Sequence, residues 1–192
     1  MQEVSYLMKL NMKMNLKRLL ALMLAWLMLL APAALAKDDV LVEDGYAVSD
    51  NTAVEWGYDY FAPDDVALYL YAFGELPPNY LTKNEARDLG WVSSEGNLWE
   101  IGYGLCIGGD VFGNREKLLP NQSGRTWYEC DVNYDGGYRG GERIVFATDG
   151  LIYYTGDHYE SFTLLYDGWY DEGYRYGETK KNNDDDDWWW LW

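Results

Sequence analysis

The order of two kinds of segment along the chain restricts its fold more than any other feature. Segments with helical spacing come first, and five short runs rich in β-branched and aromatic residues follow them. These runs are LCIGGDVF, RTWYECDVNY, RIVFATDG, LIYYTGD and SFTLLY, and Gly, Asn and Asp separate them. Helices followed by consecutive strands are typical of α+β domains. We therefore predict N-terminal helices packed on a C-terminal antiparallel β-sheet.

Two segments before the strands carry the start and stop signals of helices. In APDDVALYLYAFG, Pro63 suits a first helical position and Gly74 ends the apolar periodicity. In LTKNEARDLGW, Thr82 and Glu85 make a capping box. Lys83 then lies in the first turn, where a cation opposes the helix dipole, so its position is a mild indication of function. A third, short helix is predicted in SEGNLWEIG.

The two ends of the chain differ in composition from the middle. Positive residues, an apolar run and a small-residue cleavage site predict an export signal over residues 1–36, although the same run is just long enough for an uncleaved membrane anchor. Residues 37–60 are acidic without a clear period and are predicted to be a linker or a loosely attached arm. Residues 61–166 then form one domain of ordinary size. We expect a secreted, extracellular protein with no membrane contact after cleavage.

Residues 167–192 are polar and acidic and end in tryptophans. This composition predicts a mostly disordered tail. The tail is either a solvated segment without a role, or one that docks its tryptophans on an apolar patch or lays its aspartates over a cationic site.

The formal net charge of −17 argues against a generic nucleic-acid binder, because such proteins use clustered Lys and Arg to replace phosphate counterions. The predicted domain has only seven basic residues, and any anion site must be built from them. They are Lys83, Arg87, Arg115, Lys117, Arg125, Arg139 and Arg143.

The two cysteines, Cys106 and Cys130, lie in strand-like segments. Secretion would permit a cross-strand disulfide, and two buried thiols are the alternative. The sequence leaves both open.

The stretch DVNYDGGYRGGE, which begins at Asp131, has two interpretations. Its acidic residues, Asn and Gly have the spacing of an EF-hand calcium loop. An EF-hand needs a helix on each side, whereas both flanks here have the composition of strands. The alternative is a hairpin with its turn at 135–137, which brings Glu129 and Asp131, on one face, toward Arg139 and Arg143. We favour the hairpin.

The chain has a single histidine, His158, in the stretch GDHYESF. A lone histidine is more often structural than catalytic. Its position after a tight turn and ahead of the last strand leaves it room to be exposed, so both interpretations stay open on this feature alone.

Six motifs, in order, resemble the barnase-like family of bacterial guanyl-specific ribonucleases. They are LPPNYLTKNEARDLGW, GNLWEIGYG, CIGGDVFGNRE, LPNQSGRTWYECDVNY, RIVFATDGLIY and TGDHYESF, and the resemblance runs from Asp64 to Tyr166 without gaps. It implies the microbial ribonuclease fold and a secreted endoribonuclease that needs no metal or other cofactor. RNA would be cleaved 3′ of guanosine to a 2′,3′-cyclic phosphate, which water then opens.

The resemblance also implies catalytic roles. Glu129 would be the general base that takes the proton of the ribose 2′-OH, and His158 would be the general acid that protonates the departing 5′-oxygen. Lys83, Arg139 and Arg143 would hold the phosphoryl oxygens as charge builds on them.

Two aspartates are implied as supports for these cations. Asp131 would lie behind Arg139 and Arg143 and fix their planes. Asp110 would steady the cationic cluster near Lys83.

The loop FGNRE is implied to recognise the base. Glu116 would accept hydrogen bonds from guanine, and backbone amides around Asn114 and Arg115 would face its O6 atom. Phe112 and Tyr159 would flank the base, which is consistent with aromatic stacking in the recognition of single-stranded RNA. The family usually has Ser at the glycine of this loop.

The implied partners are single-stranded RNA and, because secreted members are often paired with an acidic inhibitor, a barstar-like protein. We expect a monomer. Two alternatives are a toxin-type ribonuclease used against competing cells and a catalytically idle or calcium-binding secreted module. The retained candidate residues argue against an idle module.

Overall fold

The computed structural model describes residues 40–171 and Tyr176. The predicted export signal lies outside the described residues, as do residues 172–175 and 177–192 of the predicted tail. Among the described residues, no helix has the length and apolar character needed to cross a membrane.

Nine strands and three helices make up the described part of the chain. The first strands are β1 (Leu41–Glu43), β2 (Tyr46–Val48) and β3 (Ala53–Glu55). They are followed by α1 (Pro63–Phe73), β4 (Tyr80–Leu81), α2 (Lys83–Asp88) and α3 (Leu98–Ile101). The last strands are β5 (Cys106–Phe112), β6 (Trp127–Asp131), β7 (Arg143–Ala147), β8 (Leu151–Thr155) and β9 (Thr163–Asp167). The α+β class predicted from the segment order is confirmed.

The helix ends follow the local signals in the sequence. Pro63 is the first residue of α1, and Gly74 ends the helix in a left-handed conformation, with its amide bonded to the Leu70 carbonyl at 2.8 Å. At α2, the Glu85 carboxylate accepts from the Thr82 amide at 2.8 Å, and the Thr82 hydroxyl accepts from the Glu85 amide. This capping box places Lys83 at the first position of α2.

The larger sheet has the strand order β4-β5-β6-β7-β8-β9, which is the order of the chain. The strands from β5 to β9 pair antiparallel, as predicted. β4 pairs parallel with β5, so the prediction of a purely antiparallel sheet is wrong at this edge. The physical reason is the connection, because α2 and α3 lie between the two strands and return the chain to the same end of the sheet.

Successive side chains of the central strands point to opposite faces of the larger sheet. The rear face shares one buried apolar cluster with α1, which includes Leu68, Leu70, Cys130, Ile144, Phe146 and Ile152. The other face, called here the site face, carries a smaller cluster of Leu119, Trp127, Val145 and Ala147. Because Trp127 points to the site face, Glu129 and Asp131 point there too, with Cys130 on the rear face, as the alternation predicted.

The prediction of a linker at 37–60 is wrong for the residues that the structure describes. β1, β2 and β3 form a three-stranded antiparallel sheet, and Ala47 and Val54 are buried in the same cluster as α1. The first hairpin turns at Asp44 and Gly45, which have φ angles of 48° and 81°. An Asp-Gly pair with both φ angles positive is a strong hairpin signal. The acidic composition of the segment masked this local pattern.

The prediction of a disordered tail is also wrong for the first residues after the predicted domain. Trp169 is 3% exposed, and its indole nitrogen donates to the Thr148 carbonyl at 3.0 Å. The Tyr176 ring packs 4.8 Å from the ring centroids of Tyr128 and Phe146. Aromatic anchors therefore attach Trp169 and Tyr176 to the rear face, and average composition does not reveal them.

The two cysteines are free thiols and both are buried. Burial raises the pKa of Cys106 to about 12 and raises the pKa of Cys130 as well. The second alternative from the sequence, two buried thiols, is the one that the structure has.

Candidate active site

Two adjacent cross-strand rows on the site face of the sheet carry polar side chains. In the strand register, Asp110 lies opposite Glu129, Asp131 lies opposite Arg143, and Arg143 lies opposite Thr155. Residues directly opposite each other in antiparallel strands have side chains on the same face. A register shift in β5 between Gly108 and Asp110 accompanies the pairing of Asp110 with Glu129. Four strands thus contribute polar side chains to the site face.

The Asp131 carboxylate holds two guanidinium groups. Arg139 donates through Nε to Oδ2 at 2.6 Å and through a terminal nitrogen to Oδ1 at 2.7 Å. Nε of Arg143 lies 2.8 Å from the Asp131 Oδ1 atom. Asp131 is only 1% exposed and Arg143 only 3%, so this pair is shielded from water, whereas the side chain of Arg139 is 19% exposed. The predicted support of both arginines by Asp131 is therefore present in the geometry.

The same contacts bear on the calcium-loop interpretation. The loop at 132–142 connects β6 to β7, so both of its flanks are strands rather than the helices of an EF-hand. Asp131, which would be the first calcium ligand, is engaged by the two arginines. The hairpin interpretation is correct, although its connection is longer than a tight turn.

The Glu129 carboxylate is held from two sides. Lys83 Nζ lies 2.6 Å from Oε1, and the Tyr159 hydroxyl donates to Oε2 at 2.7 Å. Burial alone would raise the pKa of Glu129, but the bonds from Lys83 and Tyr159 and the charges of Lys83 and Arg139 outweigh it and lower the pKa below its usual value. Glu129 is therefore an ionised carboxylate, able to accept a proton, at neutral pH.

Tyr159 is the neutral partner in this arrangement. Burial, followed by the hydrogen bond to Glu129, raises the pKa of Tyr159 to about 12. The phenol consequently keeps its proton at neutral pH and donates it to the Glu129 carboxylate.

Asp110 supports Lys83 in two ways. Its Oδ2 atom accepts from the Lys83 backbone amide at 2.9 Å and lies 3.9 Å from Lys83 Nζ. The carboxylate thus fixes the start of α2 and balances the ammonium that would otherwise oppose the helix dipole. Asp110 therefore contacts Lys83 through both its backbone amide and its ammonium, as the predicted support of this cation requires.

His158 lies in a turn after β8 and is exposed. It lines an open cleft of about 420 Å³ together with Ser93, Tyr138, Arg139, Gly140, Gly141 and Arg143. Its ring centroid is 4.9 Å from that of Tyr159, whose hydroxyl reaches Glu129. The lone histidine is therefore at the arginine cluster, on the same side of the sheet as Glu129, and not inside the core.

The loop predicted to read the base has a compact, internally bonded form. Asn114 is buried with a φ of 39°, and its side chain bonds the carbonyl and the amide of Leu119 at 2.9 and 3.1 Å. Arg115 and Glu116 are exposed at its outer edge. A Cβ atom at Gly113 would meet the Arg115 side chain at 3.6 Å, an ordinary contact, so the backbone there does not require glycine.

Phe112 and Tyr159 were predicted to flank the base, but their rings stack on each other. The centroids are 5.1 Å apart with an interplanar angle of 30°. No base fits between two rings at this distance, since aromatic partners in direct contact are already 4.5–7 Å apart. The outer faces of the pair are the surfaces left for stacking.

Sequence reasoning missed three features of this site. It did not assign Ser93 and Tyr138 to the cleft, although Tyr138 is 73% exposed beside Arg139. It also missed the bond from the Tyr159 hydroxyl to Glu129. None of these follows from sequence spacing, because each joins segments that only the fold brings together.

Comparison with known proteins is consistent with this geometry. The family model described as ribonuclease matches residues 66–166, which is just over half of the chain. A ribonuclease from Bacillus intermedius is 56% identical over 102 residues, which is 53% of this chain and 63% of that protein. A ribonuclease from Heyndrickxia coagulans is equally similar over 102 residues, which is 94% of that protein. The chain thus spans less than two thirds of the Bacillus protein.

A more distant relative carries a base preference in its name. The protein called guanyl-specific ribonuclease St from Saccharopolyspora erythraea is 44% identical over 57 residues, which is 29% of this chain and 56% of that protein. From the family match and the Heyndrickxia relative, the chain belongs to the ribonuclease family, and the barnase-like resemblance of its motifs is confirmed.

Proposed function

We propose that the protein is a secreted, guanyl-preferring endoribonuclease that needs no metal. One observation carries the proposal most directly. A buried, ionised Glu129, held by Lys83 and Tyr159, shares the site face with two arginines that line the same cleft as His158. A base, an acid and fixed cations around one opening are the groups that phosphodiester cleavage requires.

In the proposed first step, Glu129 removes the proton of the ribose 2′-OH. The 2′-oxygen bonds to phosphorus, and the bond between phosphorus and the 5′-oxygen breaks. His158 gives a proton to that 5′-oxygen, so the products are a 2′,3′-cyclic phosphate and a free 5′-hydroxyl. In the second step the roles reverse. His158 takes a proton from water as the water oxygen bonds to phosphorus, the bond between phosphorus and the 2′-oxygen breaks, and Glu129 returns a proton to that oxygen.

In this proposal the cations stabilise the negative charge that develops on the phosphoryl oxygens in the transition state. Arg139 and Arg143 present donors to the phosphoryl oxygens, and Asp131 fixes the guanidinium groups so that little reorganisation is needed. Lys83 completes the set from the start of α2. Because these side chains supply the positive charge, we expect cleavage to proceed in the presence of a chelator.

Guanine preference is proposed for the loop at 113–117. Glu116 is exposed and free to accept from the edge of the base, while the bonds of the Asn114 side chain hold the loop amides in place. Base stacking would use an outer face of the Phe112–Tyr159 pair. The name of the Saccharopolyspora relative supports this choice of base.

Secretion, a monomeric state and an acidic protein inhibitor of the barstar type belong to the same proposal. Such an inhibitor would meet the cationic cleft through charge complementarity. The positions concerned are Lys83, Arg115, Arg139, Arg143 and His158.

The test uses a guanosine-containing dinucleotide and a chelator. We expect the wild-type protein to release the cyclic phosphate, and Glu129→Gln and His158→Ala each to lower kcat/KM by about 10²–10⁴-fold. Glu100→Gln, a change at an exposed carboxylate in α3, is the matched control and should cleave normally. Wild-type protein that folds and yields no cyclic phosphate would support the idle-module alternative and overturn the proposal.

A further inference from the structure

The turn that carries His158 has an unusual backbone. His158 and Tyr159 are consecutive non-glycine residues, and their φ angles are 59° and 75°. The left-handed region is unfavourable for residues other than glycine, so each of these two conformations persists only where the surroundings hold it. Something in this turn must therefore stabilise the conformation that presents the imidazole.

One carboxylate gathers the polar groups of this turn. Asp157 Oδ1 accepts from the Thr155 hydroxyl at 2.9 Å, from the Glu160 amide at 3.0 Å and from the Ser161 amide at 2.9 Å. Its Oδ2 atom accepts from the Ser161 hydroxyl. These bonds, led by the one from the Ser161 side chain, lower the pKa of Asp157 to about 2, so the carboxylate stays charged across the working pH range.

Thr155 connects this turn to the sheet. Its hydroxyl, besides donating to Asp157, accepts from the Tyr159 amide at 3.0 Å. Thr155 is 1% exposed and lies opposite Arg143 in one of the two polar rows of the site face. These hydrogen bonds therefore attach the turn to the position in β8 that lies opposite Arg143.

The turn also packs closely on the loop that carries the arginines. A Cβ atom at Gly141 would lie 3.5 Å from the His158 Cβ and 3.6 Å from its backbone nitrogen. Gly141 lies between Arg139 and Arg143 in the chain. A small rotation of the turn would therefore change the direction of the imidazole relative to both guanidinium groups.

We infer that Asp157 is a positioning residue for the acid–base step: by closing the 155–161 turn it holds His158 in the one backbone conformation that aims the imidazole into the arginine cleft. The inference rests on the proposed function, because it assigns His158 the proton of the leaving oxygen. Asp157 touches no substrate in this scheme and acts through His158.

The experiment compares two substrates. The guanosine dinucleotide needs a proton on its departing 5′-oxygen, whereas the 4-nitrophenyl ester of guanosine 3′-phosphate releases a phenolate that leaves without one. We expect Asp157→Ala to lower kcat on the dinucleotide by roughly 10–100-fold, since a general acid contributes about 10²–10⁴-fold. On the nitrophenyl ester we expect a change within about threefold, and KM nearly constant on both.

A double substitution tests whether Asp157 acts through His158. Asp157→Ala in the His158→Ala background should add no further loss on the dinucleotide, because residues that work as a unit are not additive. Asp65→Ala is the matched control: this carboxylate, in α1, also accepts from a threonine hydroxyl, that of Thr52, and its loss should leave both substrates unaffected. If Asp157→Ala does not fold, Ser161→Ala removes one partner and should show a smaller loss, again on the dinucleotide alone.

The outcomes separate this inference from the proposed function. Equal losses on both substrates, or wild-type rates in Asp157→Ala while His158→Ala is inactive, would refute the positioning role and leave the ribonuclease proposal intact. Wild-type rates in His158→Ala would overturn the ribonuclease mechanism itself.

Discussion

The two faces of the larger sheet use the same strands for opposite purposes. Along β6, Tyr128 and Cys130 point to the rear face, where they meet apolar and aromatic side chains. Glu129 and Asp131, their immediate neighbours, point to the site face, where each is held by cations. One strand of five residues thus belongs both to the core and to the candidate active site.

This difference shows where stability and function are separated in the fold. Apolar burial on the rear face contributes favourably wherever packing is close. Charges buried on the site face are desolvated, and the attraction between partners offsets that cost only while every partner is present. We therefore expect the rear face to control stability alone, and the site face to couple stability with activity.

The largest effect is expected at the centre of the ion cluster. Asp131→Ala leaves the buried guanidinium of Arg143 without its partner, so the free energy of unfolding should fall by about 3–5 kcal/mol. The kcat/KM on the dinucleotide should also fall by at least about 100-fold, because neither arginine keeps its direction. Urea denaturation and kinetics measure the two effects. Asp135→Ala, which removes an exposed carboxylate in the loop that follows Asp131, is the control.

If Asp131→Ala lost stability but kept its full kcat/KM at a temperature where it is folded, the coupling of the two properties on the site face would be wrong. Equal effects in Asp131→Ala and Asp135→Ala would contradict the importance of the buried cluster.

The second effect concerns the rear face. Trp169→Ala removes a buried indole and its hydrogen bond to the Thr148 carbonyl. The free energy of unfolding should fall by about 3 kcal/mol, the lower end of the range for replacing a buried aromatic side chain by alanine. The kcat of the folded protein should not change. Denaturant titration and kinetics below the unfolding transition give both numbers. Tyr170→Ala, at an exposed neighbouring aromatic residue, should destabilise the protein less.

A loss of kcat in folded Trp169→Ala would contradict the separation of the two faces. Unchanged stability would show that the segment after β9 is not part of the core.

The third effect is on pH dependence. Tyr159→Phe removes one of the two hydrogen bonds to the Glu129 carboxylate, and so should raise the pKa of Glu129 from its lowered value toward the ordinary one. The general base must be ionised, so the acidic limb of kcat/KM should move to higher pH. An acidic limb that stays in place would show that Glu129 is not the base. Tyr153→Phe, in β8, is the control.

The smallest effect is the response to salt. The net charge of −17 opposes the approach of RNA, while the cations of the site lie in a short-range cluster. Added salt screens the long-range repulsion first, so kcat/KM on polynucleotide between low and physiological salt should rise or change less than about threefold. A steep fall with added salt would show that the local cations dominate capture and would refute the repulsion hypothesis.

Much of the fold followed from local signals. Pro63 and Gly74 bounded α1, the Thr82–Glu85 box began α2, and the five β-rich runs became β5 to β9, five of the six strands of the larger sheet. These signals predict helices and strands because helix caps and strand alternation depend only on residues that are close together in the chain. The N-terminal sheet was not predicted, because the acidic composition of residues 37–60 was given more weight than the hairpin signal at Asp44 and Gly45.

The candidate site was foreseen only in part. Glu129, Asp131 and the two arginines follow from alternation across one hairpin, and the family motifs supplied His158 and Lys83. The stacking of Phe112 on Tyr159, and the hydroxyl of Tyr159 on Glu129, were not predictable. Tyr159 is 30 residues from Glu129 in the chain, and spacing says nothing about contacts at that separation.

The sequence by itself determined the elements, the family and the chemical groups available for a reaction, because capping, alternation and motif order are written in neighbouring residues. Tertiary structure alone decided which groups meet. It placed Lys83 on Glu129, joined the Asp157 turn to Arg143 through Thr155, and attached Trp169 to the rear face. The reason is physical: these contacts depend on strand register and on close packing between distant segments, which no local pattern encodes.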